Sequence, residues 1–172
     1  MKREPVVFII DLDDTLTNTT RDLKGSRKRI KRLTLVRGAR KFLKKYQRRV
    51  EIILLSAGED AWQQKKIELV GIRNYLSHIM IVPSPKEKES AIRSLVYSLS
   101  VTRSNVFVIG DRLDIEVLAG NMLGCTTVRM ILPEGKYAEQ VPSVEGEIPK
   151  CVVGDFKELD ELFSKVFRTI LC

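Results

Sequence analysis

Long apolar runs are missing from the 172-residue chain. No stretch approaches the about 18 uninterrupted apolar residues of a membrane helix, and the opening MKREPVVFIIDLDDT passes from basic residues through a short strand-like run into acids. Neither a membrane span nor a signal peptide is expected. Aromatics are scarce at 6%, and the one histidine, His78, has no matching metal ligand in sequence and reads as structural. The cysteines, Cys125, Cys151 and Cys172, are odd in number and lack metal-type spacing. They are expected to be reduced thiols of a cytoplasmic protein, and their spacing argues against a zinc site. Acids are nearly absent from residues 21–49, where fourteen Lys and Arg face Asp22 alone; that segment carries +13 and leaves −5 for the rest of a chain of net charge +8. Such clustering suits a polyanion or nucleic acid as partner, or a solvated helix face.

What is present reads as one globular domain over residues 1–172, with 44% apolar and 30% charged residues. Continuous apolar runs alternate with segments of helical period, which implies an α/β fold with a mainly parallel sheet. Strands are predicted at Val6–Ile10, Ile52–Leu55, Ile79–Val82, Val106–Ile109 and Thr126–Met130, with a short one near Val152. Helices fit Gly38–Gln47, Asp60–Val70, Lys88–Leu99 and Asp114–Leu123, the last closed by Gly124. Ile92, Leu95, Val96 and Leu99 line one face of the third, and Ile115, Leu118, Ala119 and Met122 one face of the fourth; all read as core, as does Cys125. Phe156, Leu159, Phe163, Val166 and Ile170 mark a closing helix after a Pro- and Gly-containing loop.

Ligands of open α/β sheets bind beyond the carboxyl ends of the strands. Here those ends carry Asp11, Asp13, Ser56 and Asp111. The segment FIIDLDDTLTNT, a strand followed by D-x-D-x-T, resembles motif I of the haloacid dehalogenase (HAD) superfamily. EIILLSAGE resembles its motif II and VFVIGDRLDIE its motif IV. The resemblance spans residues 6 to 116 and implies a Rossmann-like three-layer α/β/α fold.

It also implies a chemistry. A phosphomonoester is an anion that repels an anionic nucleophile, so a carboxylate attacks only where a cation offsets the charge. Carboxylates converging at adjacent strand ends supply a site for magnesium, which prefers hard oxygen ligands. By the resemblance, Asp11 and Asp111 ligate through carboxylates and Asp13 through its backbone carbonyl, and Asp11 becomes an aspartyl-phosphate. Asp13 is the general acid and base, a role calling for a carboxyl raised by acidic neighbours. Its presence favours phosphatase or phosphomutase chemistry over halide removal. Thr15 is expected to bond the turn backbone and Asp14 to cap the turn. Ser56, followed by the small Ala57 and Gly58, is expected to bind phosphate. The family's phosphate-holding lysine is either Lys86 or Lys88. Asp114 and Glu116 are candidates to order metal-bound water, Asp114 equally to cap its helix. Trp62 either packs or faces substrate.

The spacing between the motifs leaves no room for a sizeable cap domain. The basic stretch at about 18–37 is the only apparent flap, so the site is open unless a second copy in a homo-oligomer covers it. The expected function is hydrolysis of a phosphomonoester. The alternatives are a phosphatase for nucleic-acid ends and a nucleic-acid binding module that keeps the fold; the four-residue set favours an enzyme and the basic segment a binding module.

Overall fold

The computed structural model describes residues 5–171, with side-chain surroundings through Lys165. Six strands form one sheet: β1 (Val7–Ile10), β2 (Glu51–Ala57), β3 (His78–Val82), β4 (Val106–Gly110), β5 (Thr126–Met130) and β6 (Cys151–Val153). Their order is β3-β2-β1-β4-β5-β6 and every neighbouring pair is parallel. The helices are α1 (Thr19–Leu23), α2 (Ala39–Tyr46), α3 (Asp60–Val70), α4 (Pro85–Ser98), α5 (Leu118–Met122) and α6 (Phe156–Leu171). No cap domain interrupts the described residues.

Alternation along the strands sorts the core into two layers. Phe8, Ile10, Ile52, Leu54, Phe107 and Ile109 face α2, α3 and α6. Val7, Ile9, Ile53, Leu55, Val106 and Val108 face Ala91, Ile92 and Val96 of α4 and Ala119 of α5. The few aromatics are concentrated rather than dispersed. Phe8, Phe42, Tyr46, Phe107 and Phe163 meet at ring-centroid distances of 4.6 to 6.2 Å. Phe156 and Leu159 join this layer as expected, whereas the side chains of Val166 and Ile170 lie outside the described residues.

Two expectations are corrected. The helix read as Lys88–Leu99 begins three residues earlier, with Pro85 in its first turn, where a missing N–H costs nothing. The helix read as Asp114–Leu123 is a π-helical turn, Leu113–Val117, running into the short α5. The wider turn rotates the following face, so Met122, assigned to the core, is 63% exposed, while Val117 and Ala119 are buried.

Truncating Phe163, the ring that joins Phe8 to Phe107, should cost about 3–5 kcal/mol in urea unfolding. Tyr97→Ala, on an exposed helix face, should stay within about 0.5 kcal/mol. Equal small losses would show that the aromatic layer does not hold the sheet to its helices.

Candidate active site

The strand order reverses at β1 and β4, the place where a doubly wound sheet opens a crevice. The Asp11 N–H donates to the Ile109 carbonyl at 2.9 Å, fixing the exit of β1 beside that of β4. Asp11 and Asp111 therefore stand together, 6% and 7% exposed. The π-turn after β4 brings Glu116 over Gly110, so closely that a Cβ on Gly110 would lie 2.5 Å from the Glu116 Cγ. Glycine at this position is thus a steric requirement. Ligand oxygens of Asp11, Asp111 and Glu116 lie within 4.8 Å of one another.

One cation enters this group. Because α4 starts at Pro85, Lys88 falls on the sheet-facing side with Ala91 and Ile92. Its buried ammonium donates to Asp11 Oδ1 at 2.6 Å and to Glu116 Oε1 in a short contact. Lys86 is on another side of the helix, exposed, and does not reach Asp11. Burial pushes the Asp11 carboxyl up to about 7, with Glu116 and Asp13 adding to the rise and Lys88 opposing it. Asp111 is likewise raised, by burial first and then by Asp11 and Glu116. Burial pulls the Lys88 ammonium down, but the two carboxylates more than offset it and hold it above the ordinary lysine value. With all three ionised, the buried carboxylates would exceed the one ammonium by two negative charges. Among the described residues Glu116 Oε2 also has no hydrogen-bond partner. Hard oxygen donors with this charge balance suit a divalent cation.

Asp13 faces the same cavity but different company. Its carboxylate accepts from Lys66 Nζ at 2.6 and 2.8 Å, Gln63 Nε2 at 3.0 Å and Thr19 Oγ1 at 2.5 Å. The acidic surroundings expected for it are replaced by a buried lysine and an amide. Gln63 and Lys66 were not singled out in the sequence, yet a signal existed: Gln63, Lys66, Ile67 and Val70 share the buried face of α3, and two of them are polar. Gly58 makes room for Gln63, since a Cβ there would meet Gln63 Nε2 at 3.0 Å. The Gly58 N–H is already given to Val82, so it is not an open donor for phosphate.

The remaining candidates are placed as follows. Ser56 is fully buried in β2, its hydroxyl without a hydrogen-bond partner among the described residues, and Ala57 lines the cavity. Asp114 points away, bonded to Arg112 and Gln140, and does not cap its turn. Its carboxyl is raised by burial but brought below the ordinary value by those bonds. Thr15 donates to Asp11 Oδ2 at 3.4 Å; the bond to the turn backbone is made by Thr17, to Leu12 O. Asp14 accepts from the Thr20 N–H and hydroxyl, as a turn cap should, and also from the Lys136 N–H. Trp62 is half-buried beneath Arg27, and His78 is exposed beside Glu51.

The cavity around Asp11 has a volume of about 220 Å³. Thr19, Thr20, Arg112, Lys136 and Tyr137 contribute to its lining, and Thr20 and Lys136 meet at Asp14 Oδ2. None of residues 21–49 lines it. The second cover is the loop between β5 and β6, which motif reading passed over.

The model of the NLI interacting factor-like phosphatases matches residues 6–114. The chain belongs to that family. It is also 25% identical to the N-acylneuraminate-9-phosphatase of Rattus norvegicus over 142 residues, 80% of this chain and 55% of that protein. Its Homo sapiens counterpart is 23% identical over 141 residues, with the same coverage of 80% and 55%. The chain thus spans about half the length of the curated relatives it matches. Among solved structures, a haloacid dehalogenase-like hydrolase of Streptococcus pneumoniae superposes with a TM-score of 0.73 at 13% identity, over 92% of this chain and 98% of that one. One from Xanthomonas campestris gives 0.72 at 13% identity, covering 98% of both chains. The NLI interacting factor-like chain therefore has the expected fold, that of the haloacid dehalogenase-like hydrolases.

Two outcomes follow from the charge balance. Lys88→Met should destabilise the metal-free protein by about 3–5 kcal/mol in urea unfolding, because it strands buried carboxylates, whereas Lys86→Met should change it by less than about 0.5 kcal/mol. Equal effects would remove Lys88 from its central place. Folding also raises the Asp11 carboxyl from 3.8 to about 7. The folded chain holds this proton more tightly, so the resulting stabilisation is complete below the unfolded value and lost as pH rises through the folded one. In chelator, the melting-temperature advantage of Asp11→Asn over the wild type should grow from about pH 4 to pH 8; a constant difference would contradict the shift.

Proposed function

We propose that the chain is a magnesium-dependent phosphomonoester hydrolase that works through an aspartyl-phosphate on Asp11. The observation that carries this reading is Lys88 bridging Asp11 and Glu116 beside Asp111, at the sheet's switch point. The family supports the phosphatase class. Magnesium would be held by the carboxylates of Asp11 and Asp111 and the Asp13 carbonyl, and would supply the positive charge that lets a carboxylate approach a phosphate anion.

The chain's own groups would do the rest. An Asp11 oxygen bonds to phosphorus while the ester oxygen departs with a proton from Asp13. Asp13 then takes a proton from water, whose oxygen attacks phosphorus and frees the Asp11 carboxylate with release of phosphate. Lys88 holds the nucleophile in place and Glu116 holds Lys88. The Ser56 hydroxyl, without a partner among the described residues, is the donor we assign to a phosphate oxygen. Gln63, Lys66 and Thr19 orient Asp13. A compact substrate is favoured over a nucleic-acid end, because the basic segment adds no side chain to the cavity.

With magnesium, Asp11→Asn should lose phosphate release from p-nitrophenyl phosphate by orders of magnitude while keeping its circular dichroism; undiminished turnover would eliminate Asp11 as nucleophile. Asp13→Asn should lose about 10²–10⁴-fold on an alkyl phosphate and less on p-nitrophenyl phosphate, whose leaving group needs little protonation. Equal losses on both would argue against Asp13 as the acid.

A further inference from the structure

Among the polar groups around the cavity, most are already committed. Thr19 and Thr20 give their hydroxyls to Asp13 and Asp14, and Lys88 is shared between two carboxylates. Two cationic groups of the lining, beside Tyr137, still offer donors. Lys136 is exposed and, among the described residues, no carboxylate pairs with its ammonium. Arg112 uses Nε and Nη2 on Asp114, which leaves Nη1 without a partner among the described residues. The Tyr137 ring stands with both, 4.5 Å from the Arg112 guanidinium carbon and 5.3 Å from the Lys136 ammonium. Cation–π contact of this kind holds a charged head in place without neutralising it; the Arg112 charge is already met by Asp114, whereas that of Lys136 meets no carboxylate among the described residues.

The wall is built rather than incidental. The loop joining β5 to β6 is long for a connection in a compact α/β unit, and such loops are commonly binding elements. It is tied down at several points next to Asp11. The Lys136 N–H donates to Asp14 Oδ2, Arg129 Nη2 donates to the Tyr137 carbonyl, and Gln140 joins the Leu113 N–H to Asp114. The cavity of about 220 Å³ is smaller than the roughly 300–1,000 Å³ of pockets that enclose drug-sized ligands.

We infer that Lys136 and Arg112, set by Tyr137, select a compact phosphomonoester that carries a second anionic group. This rests on the phosphohydrolase reading of Asp11 and names the substrate class of that same site. The phosphate sits among the strand ends, and the second anion reaches the wall of the cavity, where an unneutralised ammonium gives it a contact that a neutral body cannot use.

The test compares 3-phosphoglycerate with glycerol 3-phosphate, which differ in a carboxylate against a hydroxymethyl group. In wild-type protein with magnesium, kcat/KM should favour 3-phosphoglycerate by about tenfold, as expected for hydrogen bonds to a charged group. Lys136→Gln should lower that ratio by about threefold or more, chiefly through KM, and Lys136→Arg should restore most of it. Lys65→Gln, which removes an exposed charge from the outer side of α3, should leave the ratio as in wild type. An unchanged ratio in Lys136→Gln, or an equal fall in Lys65→Gln, would overturn the assignment. Dissociation constants of both esters for Asp11→Asn give a readout free of turnover. Tighter binding of 3-phosphoglycerate that depends on Lys136 supports the wall, and equal binding overturns it. Failure of wild-type protein to hydrolyse any of these esters or p-nitrophenyl phosphate would instead sink the reading of Asp11 and leave the binding result to decide the wall.

Discussion

A surplus of buried carboxyl groups over ammonium at the meeting of β1 and β4 is the constraint on which the rest of the site depends. Asp11, Asp111 and Glu116 are held out of water together, and Lys88 offsets only part of their charge. Carboxylates in such a place resist ionisation unless a cation joins them. The sheet supplies the convergence, because parallel strands β1 and β4 end side by side. Gly110 supplies the room, and the early start of α4 supplies the angle from which Lys88 arrives. Each of these is a backbone property, yet together they govern how a carboxylate behaves.

Much of this was legible in the sequence. Buried parallel strands read as unbroken apolar runs, which made β1, β2 and β4 visible, while β3, β5 and β6 showed as shorter or mixed runs; acids directly after β1 and β4 marked the crevice. Helix α3 was bounded correctly, since Asp60 opens its first turn and the left-handed Gly71 closes it. The stretch after β4 was not, because a π-helical turn has no distinct composition and shifts the face that follows, as Met122 shows. The choice between Lys86 and Lys88 was equally hidden. Two residues apart, they differ in which side of a helix they occupy, and that depended on where the helix began.

Loops hide their function for a different reason. A motif records residues that chemistry requires near one atom, whereas a covering loop acts through where its backbone is pinned. The dense basic segment drew attention because charge is countable, but its cations lie outside the cavity around Asp11. Several have local duties instead: Arg40 donates to the carbonyls of Val70 and Gly71, Lys45 pairs with Asp160, and Arg27 pairs with Glu59. Conversely, Gln63 and Lys66 are modest in composition and central in space. Polar residues on the apolar face of a helix are therefore a better guide to such a site than the sum of charge along a segment.

The carboxylate of Asp14 has a wider consequence. It binds both Thr20 and the Lys136 N–H, so the start of α1 and the loop after β5 share one fastener. In the loop, at Lys136, the fastener grips only the main chain. The side chain at position 136 can therefore be exchanged without untying the loop, and the same can be expected for its neighbour at 137, whose carbonyl rather than ring accepts from Arg129. Anchor and address are separate parts of this loop, which leaves the chain free to change what it accepts while the machinery beneath stays as it is.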